Sequence, residues 1–340
     1  MRYDELQQKR LLLVTVGLVL CATLFVIDIS VGSSGMGFID VLRTLFFPER
    51  STDMEVLIIH NLRLPPTLMA IVVGAALGLA GSAMQTILDN PMAEPYTLGI
   101  SSASGFGAAL CIITGLTLTA LGAMAVPLFA FIFSMVACIV IYTVARFRSS
   151  DKSTILLTGI AVFFTFQALL STSQLLANGN QLSEIMFWMF GSMTRVEMDQ
   201  ITLVIVVLVI STFILLRNAW KFTAMRLGDS HAMSLGVDIT KIRRSTLIVV
   251  SVLTSVAVCF VGTIGFIGLI APHISRFLVG EDHRYFMPMS MIVGAIILSL
   301  ANMMSKIVAD PMVFPIGILT SLIGIPFFFY LVITRRGLGS

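Results

Sequence analysis

The chain has 340 residues, of which 57% are hydrophobic and only 11% charged. A soluble domain carries roughly 25% charged residues, so this chain cannot cover itself with a polar surface and reads as an all-α polytopic membrane protein. Its net charge of +3 is too small to point to nucleic acid.

A bilayer core needs about 20 apolar residues per helix. Runs of that kind predict ten spans, at 11–31, 64–86, 98–114, 121–145, 154–177, 200–217, 245–269, 271–280, 286–307 and 314–333. Lys9 and Arg10 ahead of the first run resemble a signal peptide, but no small-x-small cleavage site follows, so a retained helix is expected. The eighth run is short and carries Pro272, His273 and Arg276. The four cysteines, Cys21, Cys111, Cys138 and Cys259, lie in apolar runs without metal-ligand spacing and read as small hydrophobes.

The second run stands apart. It carries small residues at Ala70, Gly74, Gly78 and Gly81 and ends in a polar turn from Asp89 to Pro95. A lipid-facing helix has no need of such residues, whereas a helix packed tightly against others, or lining a passage, does. Its layout returns 181 residues later. Arg63, Gly81, Leu88, Pro91 and Gly99 fall on Arg244, Gly262, Leu269, Pro272 and Gly280. Spans two and seven cross in opposite directions, so the pattern predicts an inverted-topology internal repeat with halves near 60–180 and 241–340. A chance match of glycine-rich helices is the alternative.

Ten spans put both ends on one side. With the N-terminus inside, the inner segments hold Arg2, Lys9, Arg10, Arg146, Arg148, Lys152, Arg217, Lys221, Arg226, Lys241, Arg243, Arg244, Arg284, Arg335 and Arg336. The outer segments hold Arg43, Arg50, Arg63, Arg195 and Lys306. This bias predicts that both termini are cytoplasmic.

The long inner segment 217–244 is predicted to form two short helices, 219–227 and 229–236, broken at Leu227-Gly228, with Asp229 or Ser230 capping the second. Met233 and Leu235, with Ala232 and Gly236, offer a small exposed apolar knob. It suits either the membrane surface or a cytoplasmic partner. Outside, residues 38–47 read as amphipathic, and 178–199 as a loop with Trp188 at a membrane–water boundary.

No phosphate-binding loop, no Cys/His metal spacing and no nucleophile elbow is present. His60, His231, His273 and His283 are scattered. No metal, cofactor or catalytic residue is therefore expected on this chain, which reads as a transport component and not an enzyme. The interiors of spans 2 to 7, 9 and 10 hold no Asp, Glu or His, which weighs against an ion-coupled secondary transporter. A structural or interaction membrane protein is disfavoured by the repeat. Weakly polar lining is predicted from Gly78, Ser82, Gln85, Gln167, Ser171, Gln174, Ser255 and Thr263.

Three runs in order carry a family. RLPPTLMAIVVGAALGLAGSAMQTILDNPMAEPYTLGISSASG resembles R-L-P-R…G-A-x-L-x-x-x-G-x-x-x-Q…N-P-L-A-x-P…L-G-x-x-x-G-A. GTIGFIGLIAPHISRFLVGEDHR is similar to G-x-I-x-F-I-G-L-x-x-P-H-x-x-R…G-x-D-H-R, and PIGILTSLIGIPFFFYLVI to P-I-G-x-x-T-x-x-x-G-x-P-x-F-x-x-L. These motifs resemble the FecCD-type permease subunits of ABC importers for iron–siderophores, haem and cobalamin.

The resemblance implies ten helices per subunit, a second permease subunit in a homodimer or related heterodimer, two cytoplasmic ATPase subunits and an extracytoplasmic substrate-binding protein. It places the chain in a bacterial cytoplasmic (inner) membrane and favours an iron(III)–siderophore as cargo. The segment 219–236 then corresponds to ATPase-coupling helices, with Leu227, Gly228, Asp229, Ala232, Met233, Leu235 and Gly236 as contacts. Arg63 and Lys306 correspond to basic residues that dock the binding protein, although Pro66 replaces the second Arg of R-L-P-R. Asn90, Pro91 and Met92, with Lys152 and Ser153, correspond to the cytoplasmic gate.

Overall fold

The computed structural model describes residues 3–32, 36–116, 122–147, 151–308 and 312–335. Arg2, Arg148 and Arg336, used above for orientation, lie outside them. All regular structure among the described residues is helical. Helix α1 is Tyr3–Ser30, α2 Phe38–Phe46 and α3 Asp53–Val56. A π-helical turn, Leu57–Arg63, leads into α4, Leu64–Ile87. Pro65 and Pro66 lack backbone N–H groups, so the carbonyls one turn earlier lose their usual partners, and the widened turn sits there. Next come α5 (Ile100–Ile113), α6 (Ala125–Phe147), α7 (Lys152–Leu176), α8 (Gly179–Met189) and α9 (Met198–Arg217). The chain continues through α10 (Ala219–Met225), α11 (Asp229–Ser234), α12 (Ile239–Val261), α13 (Ile267–Val279), α14 (His283–Ile307) and α15 (Ile316–Arg335).

Seven helical runs are long and apolar enough to cross a membrane: α1, the run Asp53–Ile87, the run Gly122–Phe147, α7, α9, α12 and α14. The chain is thus a multi-pass membrane protein. The shorter apolar helices α5 and α13 stand where the third and eighth spans were expected, and α15 where the tenth was. Helix α8 falls in the predicted outer loop. Its signal was legible: Asn178 Oδ1 accepts from the Gln181 N–H at 3.0 Å, and Gln181 Oε1 accepts from the Asn178 N–H at 3.1 Å.

Helix α4 is the central pillar. All of its residues are buried except Leu64, Leu68 and Ile71. The stripe of small residues explains how it is covered. A side chain at Gly74 would strike the backbone of Gly294 in α14. One at Gly78 would strike Ser290 of α14, and one at Gly81 would strike Gly268 of α13. The stripe is therefore a packing surface, because only a missing Cβ lets the backbones approach this closely.

The 181-residue register does not carry into local structure at most of its anchors. Gly81 lies inside α4, whereas Gly262 ends α12 with φ +77°. Pro91 is in a turn, whereas Pro272 is inside α13. Gly99 and Gly280 both link helices at positive φ, +81° and +77°, but their ψ angles differ, 7° against −158°. Glycine spacing marks close contact and helix ends alike, so a glycine register alone does not distinguish them.

Candidate coupling and gating site

Helix α4 stops at a stiff turn. Asp89 takes a left-handed conformation, φ +49°, and the Asn90 N–H reaches back to the Gln85 carbonyl at 3.1 Å. This closure ties off the helix carbonyls. Asn90 Oδ1 then accepts from the Met92 N–H at 3.0 Å across Pro91, whose ring fixes φ. Met92 packs against Leu269 and Ile270 of α13, the same pair that Phe327 and Phe328 of α15 cover. Asn90, Pro91 and Met92 thus form one compact turn against α13.

Lys152, which opens α7, lies beside that turn. Its Nζ is 3.1 Å from Asp89 Oδ2 and 3.5 Å from Asp229 Oδ1. Its neighbour Ser153 is exposed. A lysine that is unexpected in a gate is thus explained as an ion-pair bridge from the α4 turn to α11.

Arg226, just past α10, makes a second bridge. Nη1 is 3.3 Å from Asp89 Oδ1, and Nη2 donates to Glu281 Oε1 at 2.5 Å. Glu281 lies on the α13–α14 link and is also 3.2 Å from Arg276 Nε of α13. Arg276 Nη2 in turn donates to Gln85 Oε1 of α4 at 3.3 Å. Arg243 of α12, almost fully buried, holds Asp229 at 2.6 Å through Nη2 and donates through Nε to the Ile87 carbonyl at 2.8 Å. The segment 219–236 is therefore wired to α4, α7, α12, α13 and α14. Exposed pairs taken singly contribute about 0–1 kcal/mol; linked and half-buried, these fix the segment's position.

Buried His283, at the start of α14, completes the junction. Nε2 lies 2.8 Å from Thr86 Oγ1 of α4 and Nδ1 lies 3.3 Å from Thr223 Oγ1 of α10. Its ring stacks on Phe222 at 5.8 Å between centroids.

Glu281 gives the network a pH signature. Burial acts to raise its pKa, but the Arg226 hydrogen bond and the Arg226 and Arg276 charges outweigh it, so the carboxyl lies below its ordinary 4.5. A carboxylate lowered on folding contributes stability that is full above the unfolded pKa and is lost as pH falls through the folded one. The melting temperature of the purified chain is expected to drop on acidification below pH 4.5. Glu281→Gln should start lower at neutral pH and follow a flatter curve. Parallel curves would remove Glu281 as a contributor.

The predicted coupling helices are present, with two corrections. The break is at Gly228, φ +99°, which is itself the N-cap of α11; Asp229 pairs with Arg243 and does not cap. Ala232 is fully buried and is no part of an exposed knob. The exposed apolar residues are Leu227, Met233 and Leu235, at 66%, 58% and 59%, beside the left-handed Gly236.

Arg63 and Lys306 are both turned inward. Arg63 is buried, and Nη1 donates to the carbonyls of Ile29 and Ser30 at 3.0 and 3.3 Å. Helix α1 has no basic residue in its last turn, so Arg63 supplies the cation that its C-terminal carbonyls attract. Lys306 Nζ lies 2.8 Å from Asp28 Oδ1, and Asn302 Nδ2 donates to Asp28 Oδ2 at 2.6 Å. These side chains clamp α1 to α4 and α14 and do not stand out as rim charges. Sequence alone sees a basic residue at a helix end and not what it caps.

The predicted path residues divide. Gly78, Ser82 and Gln85 are fully enclosed: Ser82 Oγ donates to the Leu79 carbonyl at 2.7 Å, and Gln85 Nε2 reaches the Gly268 and Leu269 carbonyls at 3.5 Å. They belong to the core and line no passage. Ser255 is enclosed as well. Gln167 and Gln174 are half-exposed and Ser171 exposed, all on α7. Thr263 lines a cavity of about 290 Å³ with Tyr96, Phe190, Phe266, Ser321 and Leu322.

Sequence reading passed over Asp89, Arg226, Glu281 and Glu94. Glu281 stands in the charged GEDHR motif between two apolar runs, and that position is its signal in the sequence. Glu94 lies outside every span by sequence, yet it is buried within the bundle. A carboxyl thus reaches the interior from outside the apolar runs, carried there by the segment after α4.

A family profile described as FecCD transport family matches residues 19–334. The chain is 33% identical to the hemin transport system permease protein HmuU of Yersinia pestis, over 92% of this chain and 94% of that one. It is 35% identical to the cobalamin import system permease protein BtuC of Halobacterium salinarum, over 82% and 74%. It is 34% identical to the iron(3+)-hydroxamate import system permease protein FhuB of Bacillus subtilis, over 90% and 80%. A solved structure of an inward-facing, metal-chelate type ABC transporter superposes with TM-score 0.82 at 28% identity, covering 95% of this chain and 99% of that one. Matched along nearly its whole length in sequence and in fold, the chain belongs to the FecCD transport family.

Proposed function

We propose that this chain is the membrane-spanning subunit of a binding-protein-dependent, type II ABC importer that moves a bulky metal chelate. An iron(III)–siderophore is the first candidate cargo; haem and cobalamin are the alternatives. Energy comes from two separate cytoplasmic ATPase subunits, and an extracytoplasmic binding protein delivers the cargo and sets selectivity. A second permease subunit closes the path. In this reading the chain crosses a bacterial inner membrane ten times as two inverted halves, 60–180 and 241–340, with both ends in the cytoplasm. The 290 Å³ cavity, with its aromatic lining and the hydroxyls of Thr263 and Ser321, is this subunit's contribution to the path.

One observation carries the proposal. The short helices α10 and α11 expose Leu227, Met233 and Leu235 on one side and on the other are ion-paired to the turn that bears Asn90, Pro91 and Met92. A partner that moves the apolar knob moves the gate turn with it. Glu94 is the feature that favours an ion-coupled transporter instead, and the test separates the two.

The tagged chain, purified from its own membranes, is expected to retain an ATP-hydrolysing subunit whose turnover rises when loaded binding protein is added. Met233→Asp and Leu235→Asp should each remove that subunit and reduce uptake at least tenfold, with membrane insertion unchanged. Uptake into vesicles that persists without any ATPase subunit would overturn the importer reading.

A further inference from the structure

Glu94 lies seven residues beyond the end of α4, yet the chain turns back into the bundle there. It lines a small cavity with Leu77 of α4, Ser101 of α5, Thr254 of α12 and Gly268 of α13. Leu77 is near the middle of α4 and Thr254 is well inside α12, so the carboxyl sits within the bundle and not at its end. Among the described residues, no Lys, Arg or His forms an ion pair with it. Its partner is the Phe266 backbone N–H. A second group points the same way: Thr254 is 1% exposed, lines the same cavity, and its Oγ1 has no hydrogen-bond partner.

An ionised carboxylate is acceptor-only, with about four lone-pair sites. One backbone donor leaves most of them unmet, and no cation offsets the loss of water. Under those conditions a buried group takes up a proton. The neutral acid fits the surroundings better. Its carbonyl oxygen can accept from Phe266, and its O–H supplies a donor to the cavity that Thr254 and Ser101 also line. At about 10 Å³ the cavity has room for one water at most.

We propose that Glu94 is a buried proton-binding site whose neutral-acid form positions the gate turn against the break between α12 and α13. Phe266 stands at that break in a left-handed conformation, φ +69°, which is strained for a bulky residue and needs support from its surroundings. Glu94 supplies some of that support through the Phe266 N–H. The titratable neighbour is Tyr96 on the same segment, which is 38% exposed. The facing residues of α4, α5, α12 and α13 named above carry no charge. The proton site does not depend on the importer reading, although the positioning of a gate does.

Infrared spectroscopy of the full chain in lipid nanodiscs tests it. The wild type at pH 5 is expected to show a protonated carboxylic acid C=O band that is absent from Glu94→Gln and is lost as the pH is raised. Glu94→Gln, neutral and nearly isosteric, should melt within a few degrees of the wild type, and its melting temperature should not share the wild type's alkaline decline. If Glu94→Gln does not fold, Glu94→Asp should shift the band; an unshifted band would overturn the assignment. So would the absence at pH 5 of any acid band that depends on Glu94. A wild-type melting temperature raised by sodium chloride but not choline chloride, with no such effect in Glu94→Gln, would also overturn it in favour of a bound cation.

Discussion

Gly81→Leu is expected to leave almost no folded protein in the membrane. A Cβ at position 81 meets the carbonyl, carbonyl carbon and Cα of Gly268, all backbone atoms. No rotamer change can relieve such a contact, so α13 must move away from α4. Overpacking costs about 1–3 kcal/mol where side chains can yield, and two opposed backbones put this site at or above the upper figure. About 3 kcal/mol lowers the folded ratio more than 100-fold. Gly81→Ala should show most of the loss. Gly179→Ala, where nothing lies within 4 Å, is the control and should accumulate normally. Fluorescence-detected size exclusion of a tagged chain reads all three. Monodisperse Gly81→Leu at wild-type yield would mean that the α4–α13 contact is looser than described.

Arg226→Ala is expected to uncouple. The protein should insert and fold, while uptake and stimulated ATP hydrolysis fall about tenfold or more. Arg226 joins the α10–α11 segment to two places at once: Asp89 on the α4 turn at 3.3 Å and Glu281 on the α13–α14 link at 2.5 Å. Its side chain is 20% exposed, so solvent weakens these pairs without dissolving them. Truncation also strands Glu281 beside Arg276 alone. A double-mutant cycle of Arg226→Ala with Asp89→Asn separates geometry from general destabilisation. If the two losses add with no coupling while both variants stay folded, the Arg226–Asp89 bridge transmits nothing.

Much of this was legible in the sequence, and the limits have physical causes. The break at Gly228 was readable because a glycine between two short helical patterns permits the left-handed backbone that ends one and opens the next. Helix α8 was missed although its Asn178–Gln181 capping box was in plain view, because a hydropathy scan ranks segments by apolarity and this one is mixed. The stripe Gly74, Gly78, Gly81 fitted close packing and a lined passage equally well; only the facing backbones of Gly294, Ser290 and Gly268 decided it. Glu94 was invisible because a span count follows chain order, whereas depth in the bundle is set by how the segment after α4 folds back. Arg63 and Lys306 were seen as charges, but their partners, Ile29, Ser30 and Asp28, lie far away along the chain.

The clamp between Asp28 and Lys306 has a consequence for biogenesis. The two residues are 278 positions apart. At about 5–20 residues per second, the ribosome needs roughly 14–56 s to produce the second after the first. For that interval Asp28 stands at the end of the first helix without its ammonium or Asn302, and Arg63 alone of the clamp can hold α1. Helix α14, which emerges long after α1, is the one that locks it. A chain truncated before α14 should therefore carry an exposed acid and a loosely held N-terminal helix, a form that membrane quality control can tell apart from the finished protein.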